Sequence, residues 1–349
     1  QGLNWNSLQK EFNLDVISGS YFFNQDEGLM CGYTYSPQFG GFIYKTNDGG
    51  NTWLPRFNAN HHIADIFFIN NSVGWAGGLS LLLKTTDSGE TWSDFSSQIS
   101  GFLRSVFFLN ENLGWVVGEY NTNFRTTDGG NNWISFSSGY NLEPKKVFFI
   151  DNQHGWIAGN YGYIRKTVDG GQNWIPIQNM PLINYNDIFF RDLNNGLLAA
   201  DDGNIFITTD GGDTWQNVLS GTGFDIHKLF YLDENNIWAV GSNGIILKST
   251  DMGQSWEFNT SPNFRELTSV FFLDNNYGWA FGTNGTIINT INGGIPVELT
   301  SFTAKVLENK VELNWQTATE TNNQGFQIER RKTQDESNED WNSIGFVNG

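Results

Sequence analysis

The side chains able to do acid–base, nucleophilic or metal chemistry are few in this chain, and most recur at a fixed interval. Six aspartates, Asp48, Asp87, Asp128, Asp169, Asp210 and Asp251, each stand in a Thr/Ser-x-Asp-x-Gly-x-x-Trp box, and Asn292 takes the seventh place in a degraded copy. Paired carboxylates could act as general acid and base. The box offers them a simpler role, because an aspartate followed by glycine caps a turn by accepting backbone N–H groups two residues on, with the Thr hydroxyl as a second acceptor. A structural role at all seven positions is therefore expected. The four histidines, His61, His62, His154 and His227, include no pair at metal-ligand spacing on one strand face, because neighbouring strand residues point to opposite sides. No acidic run has the spacing of a calcium-binding loop, so neither a metal nor another cofactor is expected. Cys31 is the only cysteine; it reads as a buried, inert thiol at an inner-strand position, with no disulfide framework.

What must position these residues is a repeat. The box tryptophans fall at 53, 92, 133, 174, 215 and 256, in steps of 39, 41, 41, 41 and 41. A regular period of this length means stacked copies of one small unit. Upstream of each box runs an apolar segment such as Ile66-Phe67-Phe68-Ile69, Val106-Phe107-Phe108-Leu109 or Val270-Phe271-Phe272-Leu273. Nine residues after its start comes Trp75, Trp115, Trp156, Leu197, Trp238 or Trp279. Asn243-Gly244 and Asn284-Gly285 then mark tight hairpins. The unit is thus four short strands, without a helical period. Its Phe-Phe runs are apolar on both faces, so both faces must be covered, as in the radial blades of a β-propeller. Residues 2–8 look like an outer strand with no box before it, whereas Val297 stands where the seventh box should have its tryptophan. The strand around Trp5 is expected to pair beside Ile287–Thr290, closing seven blades into a ring and removing both open edges. Blade one, about Asn13 to Phe57, is irregular and carries an insertion from Tyr35 to Gly40. The propeller is assigned to residues 1–297.

The boxes, with their Phe-Phe, Gly-Trp and Lys-Thr-x-Asp-Gly-Gly-x-x-Trp wording, resemble the Asp-box, or bacterial neuraminidase repeat, propellers. The fuller pattern is most similar to single-domain propellers related to the photosystem II assembly and stability factor. The resemblance implies an all-β fold and opens three functions: a non-catalytic binding or structural module, a glycoside hydrolase of sialidase or xyloglucanase type, or an assembly-factor-like chaperone. A sialidase implies a Phe/Tyr-Arg-Ile-Pro motif and an arginine cluster. The motif is absent, and Arg125 and Arg165 read as repeat residues flanking their boxes. A xyloglucanase implies a second propeller. The first function is the expectation, and the chain is read as no enzyme. Residues 298–349 (Val-Glu-Leu-Thr-Ser-Phe-Thr-Ala from Val297 onward, then Asn314-Trp315-Gln316-Thr317) resemble a fibronectin type III-like module preceding the sorting signal of type IX-secreted bacterial surface proteins. A full sandwich of this type needs about 100 residues, so a truncated C-terminal β-sandwich is expected.

The net charge of −18 argues against nucleic acid, whose binding depends on Lys and Arg neutralising phosphates. No apolar run approaches the ~20 residues of a membrane span. The opening Gln reads as a mature N-terminus, which places the protein outside the cytoplasm, secreted or on the outer cell surface. In a propeller, the loops from each outer strand to the next inner strand form the mouth that usually binds. They are expected to bring Arg56, His61, His62, Arg104, Tyr140, Lys145, Lys146, Tyr185, His227 and Arg265 towards one face. Arg104, Lys145 and His227 each stand two residues before their apolar run, at equivalent points round the ring. The expectation is a partly basic mouth for a protein or carbohydrate partner, with self-association or a surface partner at the C-terminal module.

Overall fold

The computed structural model describes residues 5–8, 15–35, 39–139, 143–290, 299–307, 310–317, 326–330 and 342–347. Seven antiparallel four-stranded sheets make a seven-bladed β-propeller. Blade 1 runs Val16–Phe22, Glu27–Thr34, Gly40–Asn47 and Leu54–Ala59 from inner to outer strand. Blade 4, Pro144–Phe149, Gly155–Gly159, Ile164–Thr167 and Ile175–Pro176, shows the regular form. Helix is limited to three 3-10 turns among the described residues, none long and apolar enough to cross a membrane.

Two contacts repeated round the ring explain the spacing. In five of the seven blades a Phe of the inner strand lies between a glycine of its own blade and the indole of the blade before. Phe108 stacks on Trp75 at 3.6 Å, Phe149 on Trp115 at 3.5 Å and Phe190 on Trp156 at 3.5 Å. A Cβ at Gly114 would lie 2.5 Å from the Phe108 ring, so the Gly of each Gly-Trp pair is the room the phenyl occupies. Box turns join the blades in the same direction. Trp115 Nε1 donates to Gly170 O at 3.2 Å and Trp156 Nε1 to Gly211 O at 3.1 Å, each reaching the box of the next blade.

Inside the box, Gly171 N donates to Thr167 Oγ1 at 2.9 Å, and Thr167 Oγ1 donates to Asp169 Oδ1 at 2.8 Å. Asp169 Oδ1 accepts the N–H of Gln172 and of Asn173, both at 2.9 Å, and Asn173 Nδ2 donates to Oδ2 at 2.7 Å. The carboxylate therefore closes a loop three and four residues long, not the expected two-residue turn. The two-residue turn occurs instead at the hairpin between inner and second strands. There Asn70, Asn110, Asp151, Asp192 and Asp274 each accept the N–H two residues on. His154 sits in one of these turns, its Nδ1 2.8 Å from Asp151 Oδ2. Cys31 is fully buried on the second strand of blade 1 rather than an innermost one, and burial pushes its pKa up.

The ring closes as its ends predict. Trp5 pairs with Thr290, Asn6 with Asn289 and Ser7 with Ile288. Trp5, 4% exposed, packs edge-on against Trp238 at 6.2 Å and Phe272 at 5.8 Å. Across the closure Phe22 stacks on Trp279 at 3.7 Å, the same contact made at four other blade junctions. Asn292 lies outside the described residues. Towards the C-terminus, Leu299–Leu307 pairs with Lys310–Thr317 and Phe326–Arg330 with Asn342–Val347, each as a two-stranded sheet. The four-strand pairing of a sandwich is not seen among the described residues.

Candidate partner-binding face

A β-bulge interrupts the inner strand of every blade, between residues 17 and 19, 63 and 65, 103 and 105, 144 and 146, 185 and 187, 226 and 228, and 267 and 269. A bulge leaves one residue unpaired and re-aims its side chain. The unpaired residues are Ser18, Ala64, Arg104, Lys145, Asn186, His227 and Thr268, so Arg104, Lys145 and His227 do occupy one ring. Lys145 Nζ donates to Asn186 Oδ1 at 2.8 Å, and Asn186 Nδ2 passes the chain to Ile226 O at 2.9 Å. Burial lowers the Lys145 pKa, against the pull of Asp201.

One residue further in lies a second ring. Lys146 Nζ is 3.3 Å from Asp65 Oδ2, and Lys228 Nζ is 3.4 Å from Asp187 Oδ2. Lys146 belongs to blade 4 and Asp65 to blade 2, so this pair crosses the axial channel. Burial would lower the Lys146 pKa, but Asp65 and Asp187 hold it above its ordinary value. The same carboxylates tie blades together: Asp65 Oδ2 accepts Val106 N at 3.0 Å, and Asp187 Oδ2 accepts Leu229 N at 2.9 Å. Two residues beyond, Phe67, Phe107, Phe148 and Phe189 touch in sequence at centroid distances of 5.2 to 5.4 Å. Phe230, Phe271 and Tyr21 continue the aromatic ring at 5.2 and 5.1 Å.

The mouth above these rings is not basic. Arg104 pairs with Glu119 while lying over the Phe102 ring at 4.1 Å. His227 Nε2 is 3.0 Å from Glu266 Oε1, and this contact holds the Glu266 carboxyl below its ordinary pKa. Loops at this end also carry Glu143, Asp201, Asp202 and Asp225, against which Arg265 adds one exposed cation, donating to Asn284 O at 3.0 Å. The expected basic mouth is therefore an acidic one, in which Arg104 and His227 each face a carboxylate. His61 is exposed on the loop into blade 2, and His62 beside it is stacked on Tyr33 at 3.9 Å and Phe39 at 4.5 Å. Burial and the Arg104 charge lower the His62 pKa, which keeps the imidazole neutral at pH 7, and its Nε2 is buried without a partner. Two candidates do not join this face. Arg56 lies on the outer strand of blade 1, its Nε 2.9 Å from Glu90 Oε2 near the boxes. Tyr185 is fully buried, its hydroxyl donating to Pro181 O at 2.7 Å. Tyr140 lies outside the described residues.

Tyr140 and Tyr185 were the only tyrosines among the expected site residues, and no phenylalanine was. Tyr35, Phe39, Tyr120, Tyr161, Phe224 and Phe264 all stand exposed on the loops of this face, as does the aliphatic Leu182. Tyr120 (φ 55°, 85% exposed) and Tyr161 (φ 56°, 68% exposed) adopt left-handed backbone at the turn position that Asp202, Asn243 and Asn284 fill in other blades. A bulky residue there is a strained outlier. The sequence does carry the signal: Tyr161-Gly162 stands in register with Asn243-Gly244. Among the described residues no group of three or more His, Cys, Asp or Glu is arranged to hold a metal. The box carboxylates are used up within their own loops.

A family model described as photosynthesis system II assembly factor YCF48 matches residues 96–217 and 216–291, more than half of the chain. Among solved structures, YCF48 bound to D1 peptide is similar at 20% identity, over 83% of this chain and 97% of that one, with a TM-score of 0.66. YCF48 from Cyanidioschyzon merolae is similar at 19% identity, over 82% and 98%, with a TM-score of 0.64. The WD40 β-propeller domain of Doa1 reaches a TM-score of 0.66 at 12% identity over 82% of this chain and 95% of that one. At such identities these likenesses attest the fold alone. No curated protein matches the chain.

Proposed function

Because the chain belongs to the family of the photosynthesis system II assembly factor YCF48, we propose that it is a non-catalytic, assembly-factor-like chaperone that holds an extended segment of a partner protein across its mouth. The observation that carries this reading is the exposed aromatic rim, above all the two tyrosines kept in strained left-handed turns. Strain of this kind costs about 1–3 kcal/mol per residue and persists where function uses it. Aromatic side chains supply contact area at low entropic cost and dominate binding hot spots. The peptide-bound state of YCF48 supports an extended segment as the occupant. The acidic loops and the net charge of −18 favour a segment rich in Lys and Arg, through complementarity that speeds encounter and screens partners.

The test is binding of the whole chain to an array of peptides graded in charge and aromatic content. Signal is expected to rise with Lys and Arg content and to fall at least ~10-fold, about 1.4 kcal/mol, in the Tyr120→Asn/Tyr161→Asn double variant. Asparagine suits the left-handed position, so that variant is expected to melt no lower than the parent. Indifference to peptide charge together with undiminished binding by the variant would sink the reading.

A further inference from the structure

The junction of blades 3 and 4 departs from the repeat at Arg165, which lines the same groove as Arg125 of the blade before. At the position before the box lysine, the other blades carry Tyr44, Leu83, Phe124, Phe206, Leu247 and Ile288; blade 4 carries Arg165. The long cation before a box is neutralised by an acid in the next box at Lys45, by Glu90 at 2.6 Å, and at Lys166, by Asp213, whereas Lys84 donates to Gly129 O at 2.9 Å. For Arg125 of blade 3 the residue at the acid's place is Gln172, and both line the groove. Among the described residues neither Arg125 nor Arg165 forms an ion pair, and the Nε of each is buried without a hydrogen-bond partner. Two unneutralised guanidinium groups in so acidic a chain need an account.

Both line a cavity of about 610 Å³, within the ~300–1,000 Å³ range of small-molecule sites. Its apolar wall is Phe136 stacked on Trp174, 5.7 Å apart and 22° from parallel. Ser137 and Asn173 add polar lining. Arg165 is held in place from behind: it donates to Trp174 O at 3.3 Å and lies over the Tyr163 ring at 5.7 Å. The planar fork of arginine matches carboxylate and phosphate oxygens two at a time.

We propose that the groove between blades 3 and 4 is a binding site for a small organic oxyanion, a carboxylate or phosphate carried on a flat apolar body. The anion takes the two arginine forks, and the body lies along Phe136 and the edge of Trp174. This site is separate from the mouth and does not depend on what binds there.

The test is calorimetric titration of the full chain, at low ionic strength, with phenyl phosphate, benzoate and inorganic phosphate. One-site binding of phenyl phosphate or benzoate is expected, at least ten-fold tighter than inorganic phosphate. Two variants remove the unpaired cations: Arg165→Leu returns the apolar residue of the repeat, and Gln172→Glu supplies the kind of acid that neutralises Lys45 and Lys166. Each is expected to weaken binding at least ten-fold without lowering the melting temperature. Gln172 is exposed, so its variant reports even if the core substitution folds poorly. Absence of binding by both aromatic probes, or affinity unchanged in Gln172→Glu, overturns the proposal, as does equal affinity for inorganic phosphate. Peptide capture at the mouth is read from the tyrosine variants, so the failure of one idea leaves the other standing.

Discussion

The carboxylate of Asp169 faces two opposed pressures. Burial raises its pKa, but the donors of Asn173, Thr167 and Gln172 override it and bring the group to about 2. Asp87, Asp210 and Asp251 are lowered in the same way, and Asp128 chiefly by Asn132. Since these folded pKa values lie below the unfolded one of about 3.9, the stability they contribute is complete above about pH 4 and is lost as pH falls towards about 2. Acid titration followed by tryptophan fluorescence is expected to show cooperative unfolding in that window. Asp169→Ala is expected to lose about 1–2 kcal/mol at pH 7 in chemical denaturation, and less at pH 3, where the parent has already begun to forfeit the same bonds. The box role of these aspartates was legible because residue type and spacing fix a local loop. The strained tyrosines were not found by scanning for chemistry, since tyrosine at a turn looks ordinary until its φ is known.

At the scale of the blade, the second-strand residue and the next box vary together. Where a blade presents Trp75, Trp115, Trp156, Trp238 or Trp279, the following box reads Asp-Gly-Gly, or Asn-Gly-Gly in the seventh. Where it presents Leu29 or Leu197, the first of those glycines becomes Ser88 or Met252. The second glycine never changes, because it abuts the neighbour: Gly212 lies against Trp156 and Gly253 against Leu197. The smaller leucine leaves a cavity of about 200 Å³ between blades 5 and 6, lined in part by Leu197, Tyr231 and Met252. Leu197→Trp with Met252→Gly is expected to fill it and raise stability by about 0.5–2 kcal/mol. Leu197→Trp alone is expected to fall short through collision with Met252, a coupling that a thermal-melt double-mutant cycle would show. The strands and their order were readable from the period of 41 residues. The bulges were not, since a bulge is set by how seven inner strands crowd one axis, and no single repeat reveals it. The mouth was expected to be basic because Arg104, Lys145 and His227 were visible in line, whereas Glu119 and Glu266, which face two of them, stand on other turns that only the fold brings near.

For the molecule as a whole, the decisive contact is the seating of Trp5. Its ring fills the last blade against Trp238 and Phe272, so Trp5→Ala is expected to cost about 3–5 kcal/mol and to expose the edge of Ile287–Thr290. Size-exclusion chromatography should then show association that the parent lacks, in keeping with the hazard of an open strand edge. The closure itself was legible, because an unpaired outer strand at one end answered a missing one at the other. The strand that seals the circle comes before every other strand of the ring in the chain, and its partner Ile287–Thr290 comes after them. While the middle repeats are emerging, each new blade can settle on its predecessor, but the first tryptophan has nowhere to go and the growing rim stays bare. Nascent chains of this protein are thus most vulnerable until the seventh repeat emerges, and a pause just before it would lengthen the interval in which two unfinished arcs could join each other instead of themselves.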